Sequence, residues 1–402
     1  MKKISFLILI VSVFVVIIMT NEIPKFSHSD KPQITKKLPN SIDKQTTNRF
    51  PGEFEKQQAI WLQWPSAVYN SGDHPVYPVT INIIKALAPF EMVNVMTASK
   101  DETDQIKALL KEDNFISNNI HFYIVNHLSI WTRDVGPIFI KDKENKLNVV
   151  DFGFNNYSRG GNQDYIDIEG QVDKLTAQLL KLPVINTNLI SEGGAIESNG
   201  QGTLMTTEAV VTKRNPRLTK KQIENEYKKV LGLEKLIWLK KGLPEDDHIT
   251  GGHINEIARF VNPNTILLAQ IPLEERFISS VSQESYKRLE DNYKILLNAT
   301  DQDGKPFSIV RIPMPPTFPQ ESKNTGPTPL RSYLNYAVVN GAVLIQTYWK
   351  PGRPNKLKDT EEQVKKLFQK LFPGRTIVCI DTENINIWGG GIHCVTQHMP
   401  AY

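Results

Sequence analysis

The sequence is short of cysteine and of net charge, and it lacks the usual signature motifs. Each scarcity closes off a class of protein. Two cysteines in 402 residues, Cys379 and Cys394, exclude a disulfide-dense scaffold and allow one bridge at most. Lys+Arg 47 against Asp+Glu 43 leaves a net charge of +4, too small a bias to make nucleic acid a partner. There is no P-loop, no G-x-S-x-G elbow, no HExxH and no CxxC pair. His248, His253, His393 and His398 therefore do not read as a zinc site. What is present is ordinary globular material, 40% apolar and 22% charged. That rules out a mostly disordered chain, a collagen-like repeat and a polytopic membrane protein.

One apolar run stands out. Lys2-Lys3 precede Ile4 to Met19, interrupted only by Ser5 and Ser12, the pattern of an export signal. The flank Thr20-Asn21-Glu22-Ile23-Pro24 offers neither a small-x-small cleavage site nor a lipobox cysteine. That favours an uncleaved signal anchor over residues 1–20, with a cleaved signal peptide as the alternative. The positive-inside rule keeps Lys2 and Lys3 cytoplasmic and exports the remainder. The expectation is an exported protein of the cell envelope, with its N-terminal segment in the membrane. Residues 21–49 are polar and aperiodic and read as a flexible linker, leaving 50–402 as the folded domain.

Within that domain helical and strand patterns mix. Amphipathic stretches fall at about 78–89, 172–182, 219–231, 282–296 and 360–372, the last opening on a capping-box pattern, Thr360-Glu361-Glu362-Gln363. Strand-like runs lie at Ile120 to Val125, Leu204 to Val211, Thr265 to Ala269, Leu334 to Gln346 and Thr376 to Ile380. Asn340-Gly341 divides the fourth into a hairpin. Hairpins among helices argue against a doubly wound parallel sheet, and five helices with their strands suit five similar units. Pattern alone gives α/β or α+β.

Four segments carry more chemistry than packing requires. Trp131-Thr132-Arg133-Asp134-Val135-Gly136-Pro137 reads as a loop leaving a strand end, where Asp134 can receive a cation or simply pair with a neighbour. Glu192-Gly193-Gly194-Ala195-Ile196-Glu197-Ser198 sets glycines between carboxylates, permitting close backbone approach. In Asp246-Asp247-His248-Ile249-Thr250-Gly251-Gly252-His253-Ile254-Asn255, His253 is a candidate acid/base. Trp388-Gly389-Gly390-Gly391-Ile392-His393-Cys394 offers a thiol behind three glycines, which His253 can activate if the fold joins them. Cys379, inside Thr376-Ile377-Val378-Cys379-Ile380, reads as core. His393 and Cys394 are adjacent and are not paired with each other.

Together these segments resemble the agmatine deiminase and bacterial peptidylarginine deiminase family of the pentein superfamily. The matching stretches are Trp61 to Pro65, Trp131 to Pro137, Glu192 to Thr207, Thr250 to His253 with Ala258-Arg259-Phe260, Ser332 to Gly341, and Gly389 to Gln397. The resemblance implies an α/β fold, a five-bladed propeller whose modules surround a central active-site channel. It also implies covalent catalysis without metal or organic cofactor. Cys394 is then the nucleophile toward a guanidinium carbon, Asp134 orients the cation, and His253 protonates ammonia and activates water. Trp131 and Asn335 contact substrate, which is agmatine or an arginine-terminated peptide.

Two departures stand against the family pattern Asp-Thr-x-Gly-His-x-Asp. Ile249 precedes Thr250, and Asn255 follows His253, so half of the carboxylate clamp is replaced by an uncharged amide. Glu192, Asp247 or Glu256 then compensates, or the substrate differs, or activity is lost. Second, the loop Asp151 to Gly160 carries Arg159, like the arginine-bearing loop with which secreted peptidylarginine deiminases hold a C-terminal carboxylate. The expected function is agmatine deimination. The alternatives are peptidylarginine deimination, amidino transfer to an amine, and a binding protein weakened by Asn255.

Overall fold

One three-strand unit recurs along the chain. In the computed structural model, which describes residues 48–316 and 329–402, β1 (Gln57–Gln63) runs parallel to β2 (Met92–Thr97), and β2 parallel to β3 (Ile120–Ile124). The second sheet is β4 (Ile138–Lys141), β5 (Leu147–Gly153) and β6 (Val184–Ile190). The third is β7 (Ile196–Ser198), β8 (Thr203–Thr207) and β9 (Lys235–Leu239). The fourth is β10 (Ala258–Asn262), β11 (Thr265–Gln270) and β12 (Ser308–Pro313), and the fifth β13 (Ala337–Val338), β14 (Ala342–Thr347) and β15 (Thr376–Asp381). Finally β16 (Gln397–Pro400) returns to pair antiparallel with β1. Each sheet is an antiparallel pair followed by a parallel crossover, and the first adds a second parallel crossover to β3. Parallel neighbours require a long connection, and helices supply it.

The five expected helices are Tyr77–Leu87, Val172–Leu180, Lys220–Leu231, Ser280–Leu297 and Asn355–Leu371. A sixth crossover helix, Lys100–Glu112, joins β2 to β3. It buries only Thr103, Ile106 and Leu110, and its start is fixed by Ser99 Oγ, which accepts from Glu102 N. So narrow an apolar stripe in a charged segment gives little periodicity to read.

Four expectations need correction. The last crossover helix begins at Asn355, behind Pro354, so Thr360 is interior and its hydroxyl donates to Lys356 O at 2.9 Å. The capping box that exists is at Thr219 and Gln222. The run 204–211 is strand only to Thr207, and Glu208–Arg214 is helical. Cys379 is exposed, because β15 is an edge strand with Ile380 its one buried side chain. Asp134 lies in a helical turn that enters β4 and does not leave a strand.

The segment 1–20 and the linker as far as residue 47 lie outside the described residues. No helix among the described residues is long and apolar enough to cross a membrane.

A buried acid ties the units together. Glu53 accepts from Arg259, lies 2.6 Å from Arg133 Nη1, 2.8 Å from His393 Nε2 and 3.1 Å from His398 Nδ1. Burial works against its charge, but Arg133, His393 and Arg259 outweigh that and hold its carboxyl well below the ordinary range.

Candidate active site

A tight turn enters the first strand of each later sheet, and each turn brings a polar side chain to one place. The turn Thr132–Val135 carries Asp134 ahead of β4, and Gly193–Ala195, ahead of β7, begins at Glu192. Ile254–Glu256, ahead of β10, brings His253, Asn255 and Glu256. Asn335 sits just before β13 and Cys394 just before β16. Arg133 N donates to Cys394 O at 3.1 Å and links two of these turns directly.

Two glycines allow the convergence. A Cβ on Gly194 would lie 2.5 Å from His253 Nδ1, 2.8 Å from Asp134 Oδ1 and 3.1 Å from Asn255 Nδ2. A Cβ on Gly390 would lie 2.5 Å from the Trp131 ring and 3.0 Å from Cys394 Cβ. Any larger residue at either position displaces the groups that meet there.

The sulfur of Cys394 is surrounded by polar atoms. Asn335 Nδ2 donates to it at 2.9 Å and Asn255 Nδ2 at 3.5 Å, while the thiol points to Glu256 Oε1 at 3.7 Å. Asn335 Oδ1 accepts from His393 N at 2.7 Å and Cys394 N at 3.2 Å, fixing the turn. Nearby lies His253, the candidate acid/base. His253 Nε2 is 3.3 Å from Glu192 Oε2, and its Nδ1 is 3.7 Å from Asp134 Oδ1. Asp134 also accepts from Gly194 N at 3.1 Å and from the Tyr157 hydroxyl at 2.9 Å. Glu192 is held by Arg214 Nε at 2.6 Å. No hydrogen bond joins His253 to Cys394; the two meet around Gly194 and Asn255.

Burial sets the electrostatics. It pushes the Cys394 thiol well above its ordinary range, and Glu256 and Asp134 add to the rise. It lifts Asp134, with Glu192 contributing, and lifts Glu256 to about 8, with Asp246 contributing. For His253, burial opposes the charged ring, but Asp134 and Glu192 outweigh it and raise its pKa. The pocket thus holds more acid than it can comfortably ionise, and a bound cation relieves that cost. Three buried atoms of these residues lack a hydrogen-bond partner: His253 Nδ1, Asn255 Oδ1 and Glu256 Oε2.

Of the expected site residues, Cys394, His253, Asp134, Glu192, Asn255, Asn335 and Trp131 are all brought together. Arg159 is not among them. It is exposed, with its guanidinium 4.8 Å from the Tyr157 ring centre and Nη2 donating to Asn156 Oδ1 at 3.1 Å. Asp247 does not compensate for Asn255, because Arg288 takes both its oxygens at 2.7 and 2.8 Å. Its neighbour Asp246 points inward and receives His253 N at 2.9 Å and Thr250 N at 3.0 Å. Ile249, at the other departing position, packs against the Gly389 turn. Arg214 lies in no segment that the sequence singles out, and Tyr157 and Asp246 lie in such segments without a role that their pattern assigns.

The family model of the Porphyromonas-type peptidyl-arginine deiminases matches residues 49–400. The chain belongs to that family. Relatives within reach of this peptidyl-arginine deiminase family member include the agmatine deiminase of Medicago truncatula, 29% identical over 383 residues that cover 88% of this chain and 96% of that one. The agmatine deiminase of Pseudomonas syringae is 29% identical over 383 residues, covering 90% and 98%. Among solved structures, the agmatine deiminase of Enterococcus faecalis superposes with a TM-score of 0.75 at 28% identity, covering 91% of this chain and 99% of that chain. The fold is accordingly the five-bladed α/β propeller of the pentein superfamily, and the family is one of guanidine deiminases, hydrolases of C–N bonds in linear amidines.

Proposed function

We propose that the chain hydrolyses agmatine to N-carbamoylputrescine and ammonia through a covalent adduct on Cys394. The observation that carries this reading is the placement of the Cys394 thiol within an acid-rich, buried pocket that also holds His253 between two carboxylates. Asp134 orients the guanidinium through its N–H groups. The arriving cation offsets the acids that hold the thiol protonated, the thiol proton passes to water, and the thiolate attacks the guanidinium carbon. His253, whose charged form Asp134 and Glu192 favour, gives its proton to the departing amine, so a C–N bond breaks and ammonia leaves. Neutral His253 then takes a proton from water. The water oxygen bonds to the amidino carbon, the C–S bond breaks, and the second water proton passes to the sulfur, so that a neutral ureido product leaves and the thiol is restored. Trp131 offers its ring face to the cation.

A second substrate, a peptide ending in arginine, is favoured by one observation. Arg159 is exposed beside Tyr157, where a fixed cation suits a carboxylate better than the free ammonium of agmatine. Lys2-Lys3 and the apolar run behind them support export, with the N-terminal segment in the membrane and the domain in the cell envelope. Fractionation with protease accessibility tests that placement.

The functional test is ammonia release from each substrate, with intact mass of the protein. Ammonia from agmatine, abolished by Cys394→Ala, is the expected result. Citrulline from the peptide alone moves the assignment to peptidylarginine. Turnover only in the presence of an acceptor amine makes the chain an amidinotransferase, and no ammonia from any guanidine overturns the reading.

A further inference from the structure

Asn255 leaves the cation clamp one charge short, and the next residue is a carboxylate facing the sulfur. Glu256 is 2% exposed. Its Oε1 accepts from Asn335 Nδ2 and faces the Cys394 thiol at 3.7 Å, while its Oε2 has no hydrogen-bond partner. A buried carboxylate oxygen without a donor is costly unless a ligand supplies one. The other acids are committed. Asp247 is held outward by Arg288, Glu192 spends one oxygen on Arg214 and the other on His253, and Asp246 is occupied by the backbone and hydroxyl of its own loop. Asn255 itself is turned toward structure, its Nδ2 donating to His393 Nδ1 at 2.9 Å and to the sulfur at 3.5 Å. Its free Oδ1 can take one N–H but brings no charge.

We propose that Glu256 is the carboxylate that receives the substrate guanidinium beside Cys394, with Asp134 on the opposite side, so that the charge missing at Asn255 is supplied one residue further along the same turn. This inference rests on the guanidine deiminase reading and names the residue that binds the cation in this chain. A planar guanidinium carries N–H donors along each edge. Clamping it between Asp134 and Glu256 holds its carbon against the sulfur, which Glu256 already faces.

The test is agmatine binding, by calorimetry, to full-length protein carrying Cys394→Ala to block chemistry. Glu256→Gln keeps the acceptor for Asn335 and removes the charge. It is expected to weaken agmatine roughly ten- to hundredfold and to leave the neutral ureido analogue N-carbamoylputrescine almost unaffected. Adding Asn255→Asp to Glu256→Gln is expected to restore most of the lost affinity, which a merely structural role for Glu256 does not allow. Unchanged agmatine binding in Glu256→Gln, or equal weakening of agmatine and the neutral analogue, overturns the inference while leaving wild-type ammonia release intact. Asn255→Asp alone gives an independent reading should Glu256→Gln fail to fold. Little gain is expected where the charge is already supplied, and a gain of more than roughly tenfold means the clamp was empty and overturns the proposal. If the Cys394→Ala parent binds no guanidine and the wild type releases no ammonia, the functional reading falls and this inference with it.

Discussion

The hydroxyl of Tyr157 donates to Asp134 Oδ2 at 2.9 Å from a turn in which three consecutive residues have left-handed backbone: Asn156 (φ 52°), Tyr157 (φ 58°) and Ser158 (φ 59°). None is glycine, and each such residue costs on the order of 1 kcal/mol. The turn persists because its ring is clasped. Arg159 and Arg214 approach it at 4.8 and 5.7 Å from the ring centre, and Asn155 Oδ1 accepts from Ser158 N at 2.9 Å. The strained turn fixes the orientation of the carboxylate to which the proposed mechanism gives the guanidinium.

Tyr157→Phe removes that hydrogen bond and little else. The loss is expected to be about 1–2 kcal/mol, or roughly tenfold in kcat/KM, as for a hydrogen bond to a charged group. Steady-state kinetics check it, with the melting temperature as a control for folding.

Gly194→Ala places a methyl against His253 Nδ1 and Asp134 Oδ1. Turnover is expected to fall at least roughly a hundredfold, because sub-ångström displacement of reacting groups is costly. The circular dichroism spectrum should be retained.

Ligand binding is expected to release protons at neutral pH. Glu256, pushed up to about 8 by burial and Asp246, is protonated at pH 7 in the free protein, and a guanidinium requires it ionised. The groups that face it are Asp246, His253, Cys394, Asn335 and Tyr348. Agmatine affinity therefore rises with pH up to about 8, and calorimetry in buffers of different ionisation enthalpy reads the released proton. The same sign governs stability. A carboxyl whose folded value lies above its ordinary 4.5 favours the folded state when protonated, so the ligand-free protein loses stability as pH climbs from 4.5 to about 8. The raised His253 drains stability in the same direction, its contribution being lost as pH rises through its folded value. Thermal melts across that window, with and without agmatine, measure both effects.

Glu53→Gln leaves Arg133 and Arg259 buried without their shared counter-charge. Breaking a buried pair by removing one partner costs about 3–5 kcal/mol, to be read from urea unfolding. Because Arg133 N and Cys394 O are bonded, activity should fall along with stability.

The residues that converge on the candidate site were legible in part, because Asp134, His253 and Cys394 stand in short glycine-flanked segments whose chemistry is local. The hairpin at Asn340-Gly341 was legible for the same reason. What escaped depends on distant partners. Glu53 meets His393 across 340 positions, and Tyr157 acquires meaning only where Asp134 and Arg214 close on it. Cys379 looked like core because its neighbours are apolar, and only the position of β15 at a sheet edge exposes it. Glu192, Asp247 and Glu256 all looked able to replace the missing charge, and no local pattern reveals the Arg214 that takes Glu192 or the Arg288 that takes Asp247.

The pairing of β16 with β1 has a consequence for how the molecule comes into being. The first sheet begins the fold, yet its outer strand and the Cys394 turn come after the four other sheets in the chain. A chain still emerging during synthesis can build the middle sheets, but it has no strand to lay beside β1 and no seated thiol. The proposed nucleophile is thus seated only at ring closure, and a half-made copy holds no assembled site.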